Sequence, residues 1–90
     1  MMFMVIERFR NQDGKSVYDK LRDKGRQMPD GLKFVNSWVA ADLSRCFQLM
    51  ETDDPTDFQR WIAQWQDVME FEVVPVSQSR ETAIALGAAV

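Results

Sequence analysis

Polar residues that interrupt apolar, strand-like segments are the first candidates for chemistry in this chain. Gln48 stands between Cys46 and Met50 on one face of such a segment, where an apolar side chain would pack at lower cost. A buried amide is unfavourable unless it is hydrogen-bonded. Gln48 therefore indicates either a polar cavity or a hydrogen bond to a partner chain.

Further polar and aromatic side chains fall at matching positions along the other strand-like segments. If these positions all point away from the helices, one pocket is lined by Arg8, Asn36, Trp38, Gln48 and Glu72. The opposite assignment of faces brings in Glu7 and Ser37 instead. An arginine, an amide and an indole suit a planar or anionic organic ligand, because arginine pairs with carboxylates and tryptophan offers a stacking surface. The alternative is that Glu7 and Arg8 mark the solvated end of a strand.

Other residue types give little support to nucleophilic or metal chemistry. Cys46 is the only cysteine and the chain has no histidine to activate it, so a buried structural thiol is the favoured interpretation. Without histidine, and with scattered carboxylates, the sequence predicts no metal site and no cofactor. Trp61 and Trp65 lie four residues apart in an apolar helical stripe, which predicts core packing. No residue is assigned a catalytic role.

Length, charge and cysteine content limit the class of protein. A chain of 90 residues is one domain with a modest core, and its net charge of −3 argues against binding to nucleic acid or to a membrane surface. The apolar N-terminus is too short, and too soon followed by charges, for a secretory signal or a membrane span. The lone cysteine gives no sign of an oxidising compartment, so we expect a cytoplasmic protein.

Hydrophobic periodicity and turn signals divide the chain into six main elements. Asp54 followed by Pro55 is the clearest helix start, and an apolar stripe follows it from Phe58 to Met69. The predicted strands are residues 2–9, 32–39, 45–51 and 71–76, and the predicted helices are residues 15–27 and the segment after Asp54. The order predicts an α+β, ferredoxin-like βαββαβ sandwich over residues 1–76, with a four-stranded antiparallel sheet and both helices on one face. For the tail, residues 77–90, we expect a short helix that packs on a partner or frays.

The strands of this sheet are apolar on both faces. Met4 and Ile6 alternate with Phe3 and Val5, so no face of the first strand is polar. Helices cover only one face, and a second copy of the chain is the simplest cover for the other. Burying about 600 Å² at about 25 cal/mol per Å² would contribute up to about 15 kcal/mol before the costs of association. The pattern predicts a homodimer through the sheet face, with a cavity between the two sheets.

A resemblance to a known family rests on residues 3–9 (FMVIERF), 31–32 (GL), 37–39 (SWV), 46–51 (CFQLME), 71–72 (FE) and 75–76 (PV), with Trp61 and Trp65. Over about residues 2–76, these segments resemble a small bacterial family of unknown function within the dimeric α/β-barrel superfamily. The superfamily includes cofactor-free monooxygenases, haem-dependent enzymes, isomerases and ligand-sensing domains. The absence of histidine argues against a haem member with a histidine ligand. The resemblance implies the same fold and a homodimer, and it supplies no catalytic residues.

Three functions fit these observations. The favoured one is a small homodimeric protein that binds a small organic ligand in the cavity between two sheets. The second is a cofactor-independent monooxygenase or isomerase, in which Arg8 and Gln48 orient the substrate in the same cavity. The third is a purely structural or protein-interaction module. The absence of histidine shifts the weight from enzyme to binder, because a carboxylate would need a large pKa shift to act near neutral pH.

Overall fold

Four strands and three helices follow one another in the computed structural model, which describes residues 1–87. The strands form one antiparallel sheet in the order β2-β3-β1-β4, which confirms the predicted ferredoxin-like arrangement. A short 3₁₀ turn joins β1 to α1. The bounds are β1 Met2–Phe9, α1 Gly14–Lys24, β2 Lys33–Val39, β3 Arg45–Glu51, α2 Thr56–Trp65, β4 Met69–Val76 and α3 Ser79–Ala85.

The predicted bounds of β1 and β3 are confirmed, whereas both main helices end earlier than predicted. Helix α1 stops at Gly25, which has a positive φ of 68° and donates its N–H to the carbonyl of Leu21. Helix α2 ends at Trp65, and Met69 already belongs to β4, opposite Phe9. Met69 is buried as a strand residue. An apolar residue at helical spacing therefore need not belong to the helix.

Aspartate side chains start both main helices. Asp54 accepts hydrogen bonds from the backbone N–H and the hydroxyl of Thr56, and Pro55 has a helical φ of −58°. Asp13 accepts from the backbone N–H of Ser16 at 3.0 Å. The predicted start signal is confirmed to within one residue, since α2 begins at Thr56 and Pro55 rather than Asp54 is its N-cap.

The core lies between the sheet and helices α1 and α2. Phe3 on β1 meets Phe58 on α2 edge to face, with ring centroids 4.9 Å apart. Trp61 meets Phe71 of β4 in the same way at 5.4 Å. Trp61 and Trp65 are both buried, which confirms their prediction as core residues.

The opposite side of the sheet, which we call the open face, is also largely apolar. Alternation along β1 and its pairing with β3 and β4 bring partly exposed apolar side chains together there. Helices α1 and α2 pack on the other side. The homodimer through this face stays a prediction. The apolar residues of the face on β1, β3 and β4 are Met2, Met4, Ile6, Phe47, Leu49, Val74 and Val76.

The predicted tail contains helix α3. Ile84 in this helix and Leu86 just after it are exposed apolar side chains. The last three residues of the predicted tail lie outside the described residues. Among the helices of residues 1–87, none has the length and apolar character needed to cross a membrane.

Candidate functional site

A cavity of about 140 Å³ lies between the sheet and helix α1. Its size is close to that of an engineered apolar cavity of about 150 Å³ that binds benzene. There is therefore room for a molecule of about one ring. The lining residues are apolar Phe9, Val17, Leu21, Trp61, Trp65 and Met69, and polar Glu7, Tyr18, Arg26, Ser37, Cys46 and Gln48.

Strands β1 and β3 direct Glu7 and Gln48 into this cavity. Along β1 the inward positions are Phe3, Val5, Glu7 and Phe9, because side chains alternate across a strand. Glu7 lies opposite Cys46 of β3, two residues before Gln48. Glu7 is only 1 % exposed, so its carboxyl is removed from bulk water.

A chain of hydrogen bonds runs from Arg26 through Gln48 to Glu7. Arg26 Nη1 donates to Gln48 Oε1 at 3.0 Å, and Gln48 Nε2 donates to Glu7 Oε1. The other carboxyl oxygen, Glu7 Oε2, is buried and has no hydrogen-bond partner among residues 1–87. Buried polar atoms are nearly always paired, so this oxygen has bonding capacity for a further group in the cavity.

The backbone of Arg26 is anchored by the two core tryptophans. Trp61 Nε1 and Trp65 Nε1 both donate to the Arg26 carbonyl at 2.9 Å. The guanidinium lies 4.0 Å from the ring centroid of Phe34. Arg26 therefore lies beyond the end of α1 and turns toward the cavity.

Burial controls the protonation of the cavity. It raises the pKa of Glu7 from 4.5 to about 7, against the opposing effects of the hydrogen bond from Gln48, the nearby Cys46 thiol and the charge of Arg26. Burial, followed by the charge of Glu7, raises the pKa of the Cys46 thiol to about 12, so Cys46 is not a thiolate nucleophile at neutral pH. Burial also raises the pKa of Tyr18. Glu7 can therefore both donate and accept a proton near neutral pH.

The five residues predicted to line one pocket are divided between the two faces of the sheet. Arg8, Asn36, Trp38 and Glu72 lie on the open face, and Arg8 Nη1 is 3.6 Å from Glu72 Oε1. Gln48 lies opposite Val5 and Ser37 on the helix-facing side. Gln48 therefore does not share a face with Arg8, Asn36, Trp38 and Glu72. It shares the helix-facing side with Glu7 and Ser37, as in the alternative assignment of faces.

Sequence reasoning missed Arg26 and Tyr18 as cavity residues. Tyr18 is at a helical position beside Val17, and its type and spacing are equally typical of a core or rim residue. Arg26 follows the helix and is 22 residues from Gln48, so no local pattern links the two. Glu7 did carry a signal, since it continues the inward series of Phe3 and Val5.

No group of three or more His, Cys, Asp and Glu side chains within residues 1–87 could hold a metal ion.

A family model described as Domain of unknown function (DUF3303) matches residues 1–90. The chain belongs to this family. The match confirms the resemblance to a family of unknown function, while the bacterial origin stays a prediction. Searches of curated proteins and of solved structures give no match.

Proposed function

We propose that this protein binds a small organic ligand in the cavity between the sheet and helix α1, and that it acts as a homodimer. The observation that carries the ligand proposal is Glu7 Oε2, a buried oxygen that has no hydrogen-bond partner in the described part of the chain and borders a cavity of about 140 Å³. A ligand that bonds to this oxygen removes the cost of leaving it unpaired. The proposed site differs from the predicted cavity between two sheets because Gln48 and Glu7 face the helices.

The apolar open face supports the homodimer. It combines Met4 and Ile6 of β1 with Phe47 and Leu49 of β3, and Trp38 of edge strand β2 is 49 % exposed beside them. Two copies related by a two-fold axis would each cover the same patch of the other. Helix α3 adds a second argument, because an isolated helix of seven residues is unstable and its apolar Ile84 is exposed. We propose that α3 packs on the partner subunit.

A cofactor-independent isomerase or monooxygenase is the second candidate function. The specific observation in its favour is the carboxyl of Glu7, whose pKa of about 7 suits a general acid or base at neutral pH. The substrate would bind in the same cavity. Gln48 would still orient it, and Arg26 would take the role that the sequence predicted for Arg8.

Thermal unfolding with a library of single-ring compounds tests the ligand proposal. A compound that binds only the native state raises the midpoint in a saturable way. Val17→Phe, which fills the cavity, should abolish this shift, whereas Val35→Phe on the exposed edge strand should preserve it. Leu21→Phe serves if Val17→Phe does not fold. A library without any saturable binder contradicts the proposal and favours a structural role.

Native mass spectrometry and sedimentation test the homodimer. Gently purified protein should give a dimer at micromolar concentration, and a co-purified ligand would appear as extra mass. A monomer under these conditions contradicts the dimer proposal, independently of ligand binding. The enzyme function would be supported if the wild-type protein turns over a bound compound and Glu7→Gln still binds that compound but no longer turns it over.

A further inference from the structure

Besides the Glu7 oxygen that has no partner among residues 1–87, the polar wall of the cavity holds hydrogen-bond donors that no described residue uses. A guanidinium carries five N–H donors. Within residues 1–87, the Arg26 side chain uses one nitrogen, Nη1, in its hydrogen bond to Gln48. Its backbone is held by the indoles of Trp61 and Trp65, so the side chain starts from a fixed point at the cavity. A planar, bidentate acceptor is the group that such a guanidinium binds best.

We infer that the ligand is a single-ring organic acid whose carboxylate binds between the guanidinium of Arg26 and the protonated carboxyl of Glu7. This inference rests on the proposed function, since it names the class of ligand for the same cavity. The carboxyl of Glu7 donates from Oε2, and Glu7 Oε1 keeps its hydrogen bond from Gln48. The ring lies among the apolar lining residues, which include Phe9, Trp61 and Trp65.

The charges around Glu7 favour an anion over a cation. Strand β3 contributes Cys46, helix α1 contributes Tyr18, and the segment after α1 contributes Arg26. Helix α2 and strand β4 contribute Trp61, Trp65 and Met69, which do not titrate. Among the described residues, Arg26 is therefore the one cation lining the cavity, and Glu7 is the group whose ionisation would place a like charge beside a bound carboxylate.

Where Glu7 is ionised in the free protein, above its pKa of about 7, binding of the acid consequently takes up a proton from solvent on Glu7. No covalent bond changes, and the proton is released when the ligand leaves. With a Glu7 pKa of about 7, the protonated fraction falls from about nine-tenths at pH 6 to about one-tenth at pH 8. The affinity for the acid should fall by the same factor of about ten.

Isothermal titration calorimetry with benzoate, phenol and benzylamine tests this inference on the whole chain. Benzoate should bind at pH 6, with a Kd about tenfold higher at pH 8. In Glu7→Gln the amide can donate in place of the carboxyl, so benzoate should still bind and its affinity should no longer depend on pH. Arg26→Gln should weaken benzoate at pH 6 by at least about tenfold, and it keeps the backbone carbonyl that the tryptophans hold.

The outcomes separate the inference from the proposed function. If phenol or benzylamine binds saturably and benzoate does not, the inference that the ligand is an organic acid is overturned. The proposed function of ligand binding in this cavity then still stands. Benzoate binding that is independent of pH, or unchanged in a folded Arg26→Gln, also overturns the inference. If none of the three probes and no library compound binds, the proposed function itself fails.

Discussion

Gln48 Oε1 accepts a hydrogen bond from Arg26 Nη1 at 3.0 Å, which ties the segment after α1 to the middle of β3. Because a cation holds the acceptor end of the amide, the amino end turns to Glu7. Arg26 therefore determines how the buried carboxyl is partnered, although the two side chains do not form a direct salt bridge within the described part of the chain.

Glu7→Gln should remove a pH dependence of stability. The pKa of Glu7 is raised to about 7 in the folded state from about 4.5 when unfolded, so the folded state binds more protons between these values. The stabilisation is present below pH 4.5 and is lost as pH rises through 7, and we expect the free energy of unfolding to fall by about 2 to 3 kcal/mol between pH 5 and pH 8. Urea unfolding at fixed protein concentration measures it. The control is Glu81→Gln on exposed α3, in which the free energy of unfolding should still fall between pH 5 and pH 8. If the same fall persists in Glu7→Gln, the pH dependence does not come from Glu7.

Gln48→Met should destabilise the protein more at pH 8 than at pH 5. The substitution keeps the side-chain length but removes a donor to Glu7 and the acceptor of Arg26. An ionised, buried Glu7 then loses a hydrogen bond, which should cost about 2 to 3 kcal/mol at pH 8 and less at pH 5, where the carboxyl is neutral. Urea unfolding at both pH values gives the difference. Gln59→Met on the exposed side of α2 is the control, and equal losses at the two pH values would refute this explanation.

Trp61→Phe and Trp65→Phe should be coupled. Both indoles donate to the same Arg26 carbonyl, so either single variant leaves one donor in place. The double variant leaves the carbonyl without a side-chain donor, and we expect a loss that exceeds the sum of the single losses by about 1 kcal/mol or more. A double-mutant cycle by chemical unfolding measures this coupling. Strict additivity of the Trp61→Phe and Trp65→Phe losses would argue against a shared role.

Leu49→Lys should dissociate the homodimer without unfolding the subunit. Leu49 is central in the open face, opposite Met4, and a buried lysine there would lack a partner. Sedimentation should give a monomer at micromolar concentration, while circular dichroism stays that of the folded chain. Leu43→Lys, at an exposed residue of the loop before β3, should remain a dimer. A Leu49→Lys dimer would mean that subunits associate through another surface.

Ile84→Asp should weaken the dimer if α3 packs on the partner. Burying an isoleucine is worth about 1.5 to 3 kcal/mol, so its loss should raise the dimer Kd by about tenfold or more. The same substitution in the monomeric Leu49→Lys background should leave the unfolding midpoint unchanged, because Ile84 is exposed within one subunit. Arg80→Ala on the same helix is the control. An unchanged dimer Kd in Ile84→Asp would show that α3 lies outside the interface.

The apolar open face explains why the residues predicted to line one pocket lie on two different faces of the sheet. β1 and β3 are apolar on both sides, so hydrophobic alternation could not tell which face meets the helices. The sequence pattern therefore predicts Arg8 and Gln48 on one face, whereas the register places Gln48 beside Val5 in the core and Arg8 at an exposed end. The prediction of an apolar helical stripe up to Met69 differs from the structure for a similar reason. An apolar residue can pack into the core from a helix or from the first position of a strand.

The amino-acid sequence by itself determined the order of the elements, the start of α2 directly after Asp54 and Pro55, and the burial of Trp61 and Trp65. These features depend on interactions within a few residues of chain, namely capping, turn chemistry and helical spacing. The tertiary structure alone decided that Glu7, Gln48 and Arg26 meet at one cavity. Glu7 and Gln48 are 41 residues apart and Gln48 and Arg26 are 22 apart, so their hydrogen bonds exist only after strand register and the packing of the segment beyond α1 have been established.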